Sequence, residues 1–131
     1  MLLLDTDTII YSLKGVESVV KQFQLNADIP KALSVISYGE LIYGANKSSR
    51  VTNNLAKIHQ LGELLTVIDI TKPIMDCFGQ IKSDLSKSGV TVDDFDLLIG
   101  STAITYGYTL VSNNEKHFNK IPGLKVVNWK S

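Results

Sequence analysis

Three consecutive leucines, Leu2, Leu3 and Leu4, run directly into Asp5-Thr6-Asp7, and an apolar helical pattern resumes at once in Thr8, Ile9, Ile10, Tyr11 and Leu13. Successive residues of a strand point to opposite faces of its sheet, so a strand that is apolar at every position must be covered on both sides. That requirement excludes a sheet with one wet face. It predicts helices packed above and below strands that run mostly parallel.

The rest of the chain repeats the alternation. After a stop near Gly15, a second helix is expected over 16–25 with Val19, Val20 and Phe23 turned inward, and 32–36 reads as a second strand. Ser37 opens a helix carrying Glu40, Leu41, Tyr43 and Ala45, and Ser37-x-x-Glu40 has the form of a capping box. A helix over 54–64 follows, with Leu55, Ile58, Leu61 and Leu65 at spacings of three and four, and 65–70 turns β-branched, as a third strand would. Pro73 suits the first turn of a long helix that Gly89 ends. Beyond Asp93 and Asp94 a further helix runs to about Gly107, then come a strand over 109–112, a short helix at Glu115–Phe118 and a last strand over 125–129. A chain of 131 residues without linker, repeat or low-complexity tract forms one domain, residues 1–131.

Composition narrows the function classes. Thirteen basic and thirteen acidic side chains cancel, and Arg50 is the sole arginine, so neither a charge-driven nucleic-acid binder nor a bidentate base reader fits. Cys77 stands alone, which excludes an intramolecular disulfide and agrees with a reducing compartment. The start lacks the basic, longer apolar form of a signal peptide, and no run reaches the roughly 18–20 apolar residues of a membrane span. A soluble, cytoplasmic protein is expected. No glycine-rich or lysine-containing phosphate loop supports a nucleotide-binding fold.

In open α/β sheets, functional groups gather beyond the carboxyl ends of the strands. Four polar residues fall there or at helix starts nearby: Asp5, Glu40, Asp96 and Asn114. Hard divalent cations take carboxylate, amide and water oxygens, so this set suits a magnesium-type site. Each also has a local explanation. Asp5 or Asp7 caps the first helix, Ser37 and Glu40 form the capping box, Asp93 or Asp94 caps the helix that bears Asp96, and Asn113-Asn114 makes a turn. On the residues alone, a metal-dependent nuclease of RNA or DNA, a phosphatase, and a non-catalytic binding protein with acids as caps all stay open.

The ordered series Leu3-Leu4-Asp5-Thr6-Asp7, Ser37-x-x-Glu40-Leu41, Asp94-Phe95-Asp96-Leu97-Leu98-Ile99, Leu110-Val111-Ser112-Asn113-Asn114 and His117-Phe118, leading to Ile121-Pro122-Gly123, resembles the PIN-domain ribonucleases, specifically the VapC-type toxins of bacterial toxin–antitoxin pairs. The resemblance implies a three-layer α/β/α fold with a central, mostly parallel sheet. It further implies that Asp5, Glu40 and Asp96 are metal ligands and that Asn114 is a fourth catalytic position. The cofactor it implies is Mg²⁺, with Mn²⁺ as a substitute. Its implied partners are an RNA substrate, transfer RNA among the classes, a cognate VapB-type antitoxin and a second copy of the chain in a homodimer, with no membrane. Two departures stand out. Asp7 lies where the family usually has Asn, and Gly100-Ser101 lies where Ala-Ala is common. Asp94 is expected as an accessory acid. Thr6 and Ser112 are expected to hydrogen-bond the acids or the scissile phosphate. Neither His59 nor His117 is assigned as a general base.

Overall fold

The computed structural model describes residues 1–130. The order of elements is β1 (Leu2–Leu4), α1 (Thr6–Leu13), α2 (Glu17–Leu25), β2 (Lys31–Ser34), α3 (Val35–Asn46), α4 (Val51–Leu64), β3 (Thr66–Ile68), α5 (Lys72–Lys87), α6 (Asp94–Tyr106), β4 (Thr109–Val111), α7 (Glu115–Phe118) and β5 (Val126–Val127). All five strands pair in parallel, in the order β3-β2-β1-β4-β5. The chain steps outward from β1 to β3, then crosses back through α5 and α6 to set β4 against the free side of β1. The strand order therefore reverses between β1 and β4, which opens a crevice at their carboxyl ends.

Burial confirms the two-sided strand inferred from the leucines. Leu3, Ala32 and Leu110 face one layer, where they pack with Leu85, Leu97, Ile99, Ala103, Phe118 and Ile121. Their neighbours Leu4, Leu33 and Val111 face the other, with Ile9, Val19, Leu41, Ala45, Ile58 and Trp129. Period-two alternation thus feeds two separate cores, the α/β/α arrangement expected from the sequence. Each large side chain sealed in them contributes about 1.5–3 kcal/mol relative to exposure. Helix α6 is buried over much of its surface, and a Cβ on Gly100 would sit 2.9 Å from Ile121 Cδ1, so glycine here lets the Ile121 side chain lie against the helix without shifting. Gly107, at φ +69°, ends the helix in the left-handed region. No helix among the described residues is long and apolar enough to cross a membrane.

Several element boundaries differ from the sequence reading by a few residues, and one of these differences bears on the site. The second strand ends at Ser34, and the β-branched Val35 and Ile36 already belong to α3. Ser34 keeps extended backbone angles while its hydroxyl accepts from the Ile36 N–H at 3.0 Å, which makes it the N-cap. Ser37 is therefore buried inside the helix, its hydroxyl has no hydrogen-bond partner, and the expected capping box does not form. Ser34→Ala is expected to lower unfolding stability by about 1 kcal/mol. Ser37→Ala removes an unsatisfied buried hydroxyl and is expected to be neutral or stabilising. Denaturant titration of both variants checks this; the opposite order would restore the capping box.

Candidate metal centre

Asp5 stands at the point where β1 becomes α1. Its N–H donates to the Val111 carbonyl at 2.9 Å, continuing the β1–β4 pairing by one residue. Its side chain then turns into the crevice, where Oδ1 accepts from the Thr6 N–H at 2.9 Å and Oδ2 accepts from the Ser112 hydroxyl at 2.7 Å. Ser112 directly follows the adjacent strand β4, and its Oγ in turn accepts from the Asn114 N–H at 2.9 Å. One hydroxyl thus ties the loop after β4 to the acid after β1.

Glu40 reaches the same place from α3. The Thr6 hydroxyl donates to Glu40 Oε1 at 2.7 Å and limits the swing of this long side chain. Asp96 arrives from the first turn of α6. Its neighbour Asp93 is the N-cap, with Oδ2 accepting from the N–H groups of Phe95 and Asp96 at 3.1 and 3.3 Å. Asp96 is therefore released from capping, and its carboxylate faces the cleft. Asp5, Asp7, Glu40, Asp96, Asn113 and Asn114 all line this one cleft, which encloses roughly 330 Å³. All four residues singled out from the sequence are brought together. Thr6 and Ser112 hydrogen-bond the acids, as anticipated.

Three placements depart from expectation or were missed. Asp94 points away, into a surface ion pair with Lys82 at 2.8 Å, and is not an accessory acid of the cleft. Asp7 is a full member: Oδ2 accepts from the Asn113 N–H at 3.1 Å, and the Thr8 hydroxyl lies 3.2 Å from Oδ1. His117, one helical turn beyond Asn114, enters the rim of the site. Its Nδ1 lies 3.0 Å from Asn114 Nδ2 and 3.7 Å from Asp96 Oδ2. The signal for it was the spacing of three between Asn114 and His117 at the start of a short helix, which puts both on one face.

Electrostatics mark the cleft as short of positive charge. Burial, then the neighbouring Asp7, raises the Asp5 carboxyl to about 7, against the opposing pull of the Ser112 and Thr6 hydrogen bonds. Burial also raises Asp7 and Asp96, the latter helped by Asp93 and Glu40 and opposed by His117. Among the described residues no lysine or arginine pairs with these acids. Nor do three His, Cys, Asp or Glu side chains among them close into a ready-made cage. The donor set still fits a hard divalent cation of the magnesium type, which keeps several waters and needs only one or two direct carboxylates. Asp5, Glu40 and Asp96 would hold it.

The raised Asp5 pKa has a consequence for stability. In the unfolded chain this carboxyl loses its proton near 3.8, in the folded chain near 7, so the folded state binds the extra proton between those values. Its contribution is complete below the lower value and declines as pH rises to the upper one. In chelator, the protein is expected to lose stability, on the order of a few kcal/mol, between about pH 4 and 7. Asp5→Asn should flatten that slope and raise the melting temperature at neutral pH. Thermal melts of both proteins across pH check it; an unchanged slope in the variant would show that Asp5 is not the group responsible.

Comparison with known proteins agrees with this geometry. Residues 2–124 match the PIN domain family model. The chain is 34% identical over 128 residues to the tRNA(fMet)-specific endonuclease VapC of Salmonella typhimurium, covering 97% of this chain and 96% of the relative. It is 35% identical, with the same coverage, to ribonuclease VapC2 of Haemophilus influenzae strain Rd. In three dimensions it is similar to VapBC2 from Rickettsia felis, whose crystal structure holds a promoter DNA fragment, with a TM-score of 0.90, 33% identity and 98% of each chain covered. By sequence along nearly its whole length and by fold, the chain belongs to the PIN-domain family, as a VapC-type ribonuclease.

Proposed function

We propose that this protein is the toxin of a type II toxin–antitoxin pair, an endoribonuclease that hydrolyses RNA phosphodiester bonds with Mg²⁺, or Mn²⁺ in its place, held by Asp5, Glu40 and Asp96. One observation carries the reading: carboxylates from the end of β1, the middle of α3 and the first turn of α6 meet at one cleft with no lysine or arginine among the described residues paired with them. When bound, such a cation polarises a phosphate oxygen and lowers the pKa of water, which supplies the nucleophile. The chain's own groups set the geometry. Ser112 and the Thr6 N–H fix the two oxygens of Asp5, the Thr6 hydroxyl steadies Glu40, and the amide of Asn114 is placed to orient water at the cleft. Attack by water leaves 5′-phosphate and 3′-hydroxyl ends.

Transfer RNA, initiator transfer RNA included, is the proposed substrate class, supported by the activity named for the Salmonella relative. The proposed partner is a VapB-type antitoxin, supported by the VapBC assemblies among the similar structures. An apolar cleft lined by Ile10, Leu41, Ala45 and Ile58 runs from Glu40 past Leu13, itself 49% exposed, and offers such a partner a surface beside the acids. The exposed Tyr43 and Phe95, on the other side of Glu40, give a second copy of the chain an apolar face for a homodimer. The protein acts in the cytoplasm, where its substrate is.

Antitoxin-free protein incubated with a panel of transfer RNAs, other RNAs, DNA and a phosphomonoester is expected to cleave RNA with Mg²⁺ and to stop on chelation. Asp96→Asn should lower the rate by more than about 100-fold, beyond the 10–100-fold typical of groups that merely support metal ligands. Cleavage that survives the chelator, or products ending in 2′,3′-cyclic phosphate, would overturn the mechanism.

A further inference from the structure

Asn114 occupies the N-cap position of α7, yet its side chain makes no capping hydrogen bond. Its backbone N–H is held by Ser112 Oγ at 2.9 Å, and that hydroxyl donates to Asp5 at 2.7 Å. At the other end, Asn114 Nδ2 lies 3.0 Å from His117 Nδ1, which stands 3.7 Å from Asp96 Oδ2. A polar clasp therefore runs from Asp5 through Ser112 and Asn114 to His117, whose ring stops 3.7 Å short of Asp96. It ties the acid after β1 to the ring that stands beside the acid of α6.

An amide has one donating end and one accepting end. If Nδ2 donates to the imidazole, the remaining polar atom, Oδ1, is the end presented to the cleft that Asn114 lines. The reversed amide would place two acceptors together at His117 whenever Nδ1 carries no proton. The imidazole thereby selects which face of the amide the reacting groups meet. The contact with Asn114 is a hydrogen bond in length, whereas the separation from Asp96 is not.

We infer that His117 is a positioning residue, which accepts from the Asn114 side chain through Nδ1 in its Nε2–H tautomer and so holds the Asn114 carbonyl toward the cleft. The inference rests on the proposed function for its catalytic consequence, but its structural part stands apart from catalysis. A support of this kind around a reacting centre typically contributes about 10- to 100-fold.

The substitutions separate the role from general structure. Asn carries its side-chain oxygen near where Nδ1 lies, so His117→Asn keeps an acceptor for Asn114. His117→Gln extends beyond that point, and His117→Ala has no acceptor. Nitrogen-15 NMR of the chelated protein is expected to show, for the neutral imidazole, an unprotonated Nδ1 and a protonated Nε2. The Asn114 side-chain amide should be protected from exchange in the wild type and in His117→Asn, and unprotected in the Gln and Ala variants. In cleavage assays, Ala and Gln should lower kcat by about 10- to 100-fold with little change in KM, and Asn should restore it. Adding His117→Ala to Asn114→Ala should cost nothing further, because one acts through the other.

A proton on Nδ1, or equal amide protection in all four proteins, would overturn the inference. So would full activity of the Ala variant while Asp96→Asn is dead. Loss of metal dependence across every variant, with the NMR pattern intact, would instead sink the proposed function and leave the clasp standing.

Discussion

A buried carboxylate at the end of a fully apolar strand is the constraint on which the rest of this molecule turns. Leu3 and Leu4 each seal a different core, so β1 cannot shift without opening both. Asp5 is thereby held where the strand order reverses, almost withdrawn from water. A charge in that position is costly unless hydrogen bonds or opposite charge compensate it. The local sequence supplies the first in Thr6 and Ser112 and brings up further acids in place of the second. The fold thus spends stability to keep a site electrically incomplete.

Asp7 deepens that deficit. Where the family commonly carries a neutral amide, this chain carries a carboxylate, and its charge is the second-largest influence on Asp5 after burial. Its backbone anchor is the Asn113 N–H, so it also stitches α1 to the loop after β4. The same side chain raises the electrostatic cost of the cleft and lends it mechanical definition. Its contribution is therefore both to the architecture and to the local field.

Much of this was legible in the residues because short apolar runs and acid positions are local signals. β1, α5, α6 and α7 fall where leucine runs, Pro73, Gly107 and the Glu115–Phe118 stretch place them. Val35 and Ile36 misled because β-branched residues favour strands by propensity, while a serine cap one residue earlier had already redirected the backbone. Among the site residues, Asp5, Glu40, Asp96 and Asn114 stood out by their position after strands or at helix starts. Asp94 and Asp96 differ by two positions and so project from different sides of a helix, which is why one meets Lys82 and the other the cleft. The pairing of His117 with Asn114 was legible in their spacing of three, but only the tertiary placement of α7 brings the ring near Asp96.

The strand order has an implication for synthesis on the ribosome. β1 is made well before β4, yet β4 is one of its two sheet neighbours, and Ser112 closes the far side of the Asp5 pocket. A nascent chain that has produced Asp5, Glu40 and even Asp96 still lacks the strand that seats them. The Asp5 pocket therefore closes only after β4 and Ser112 have been made.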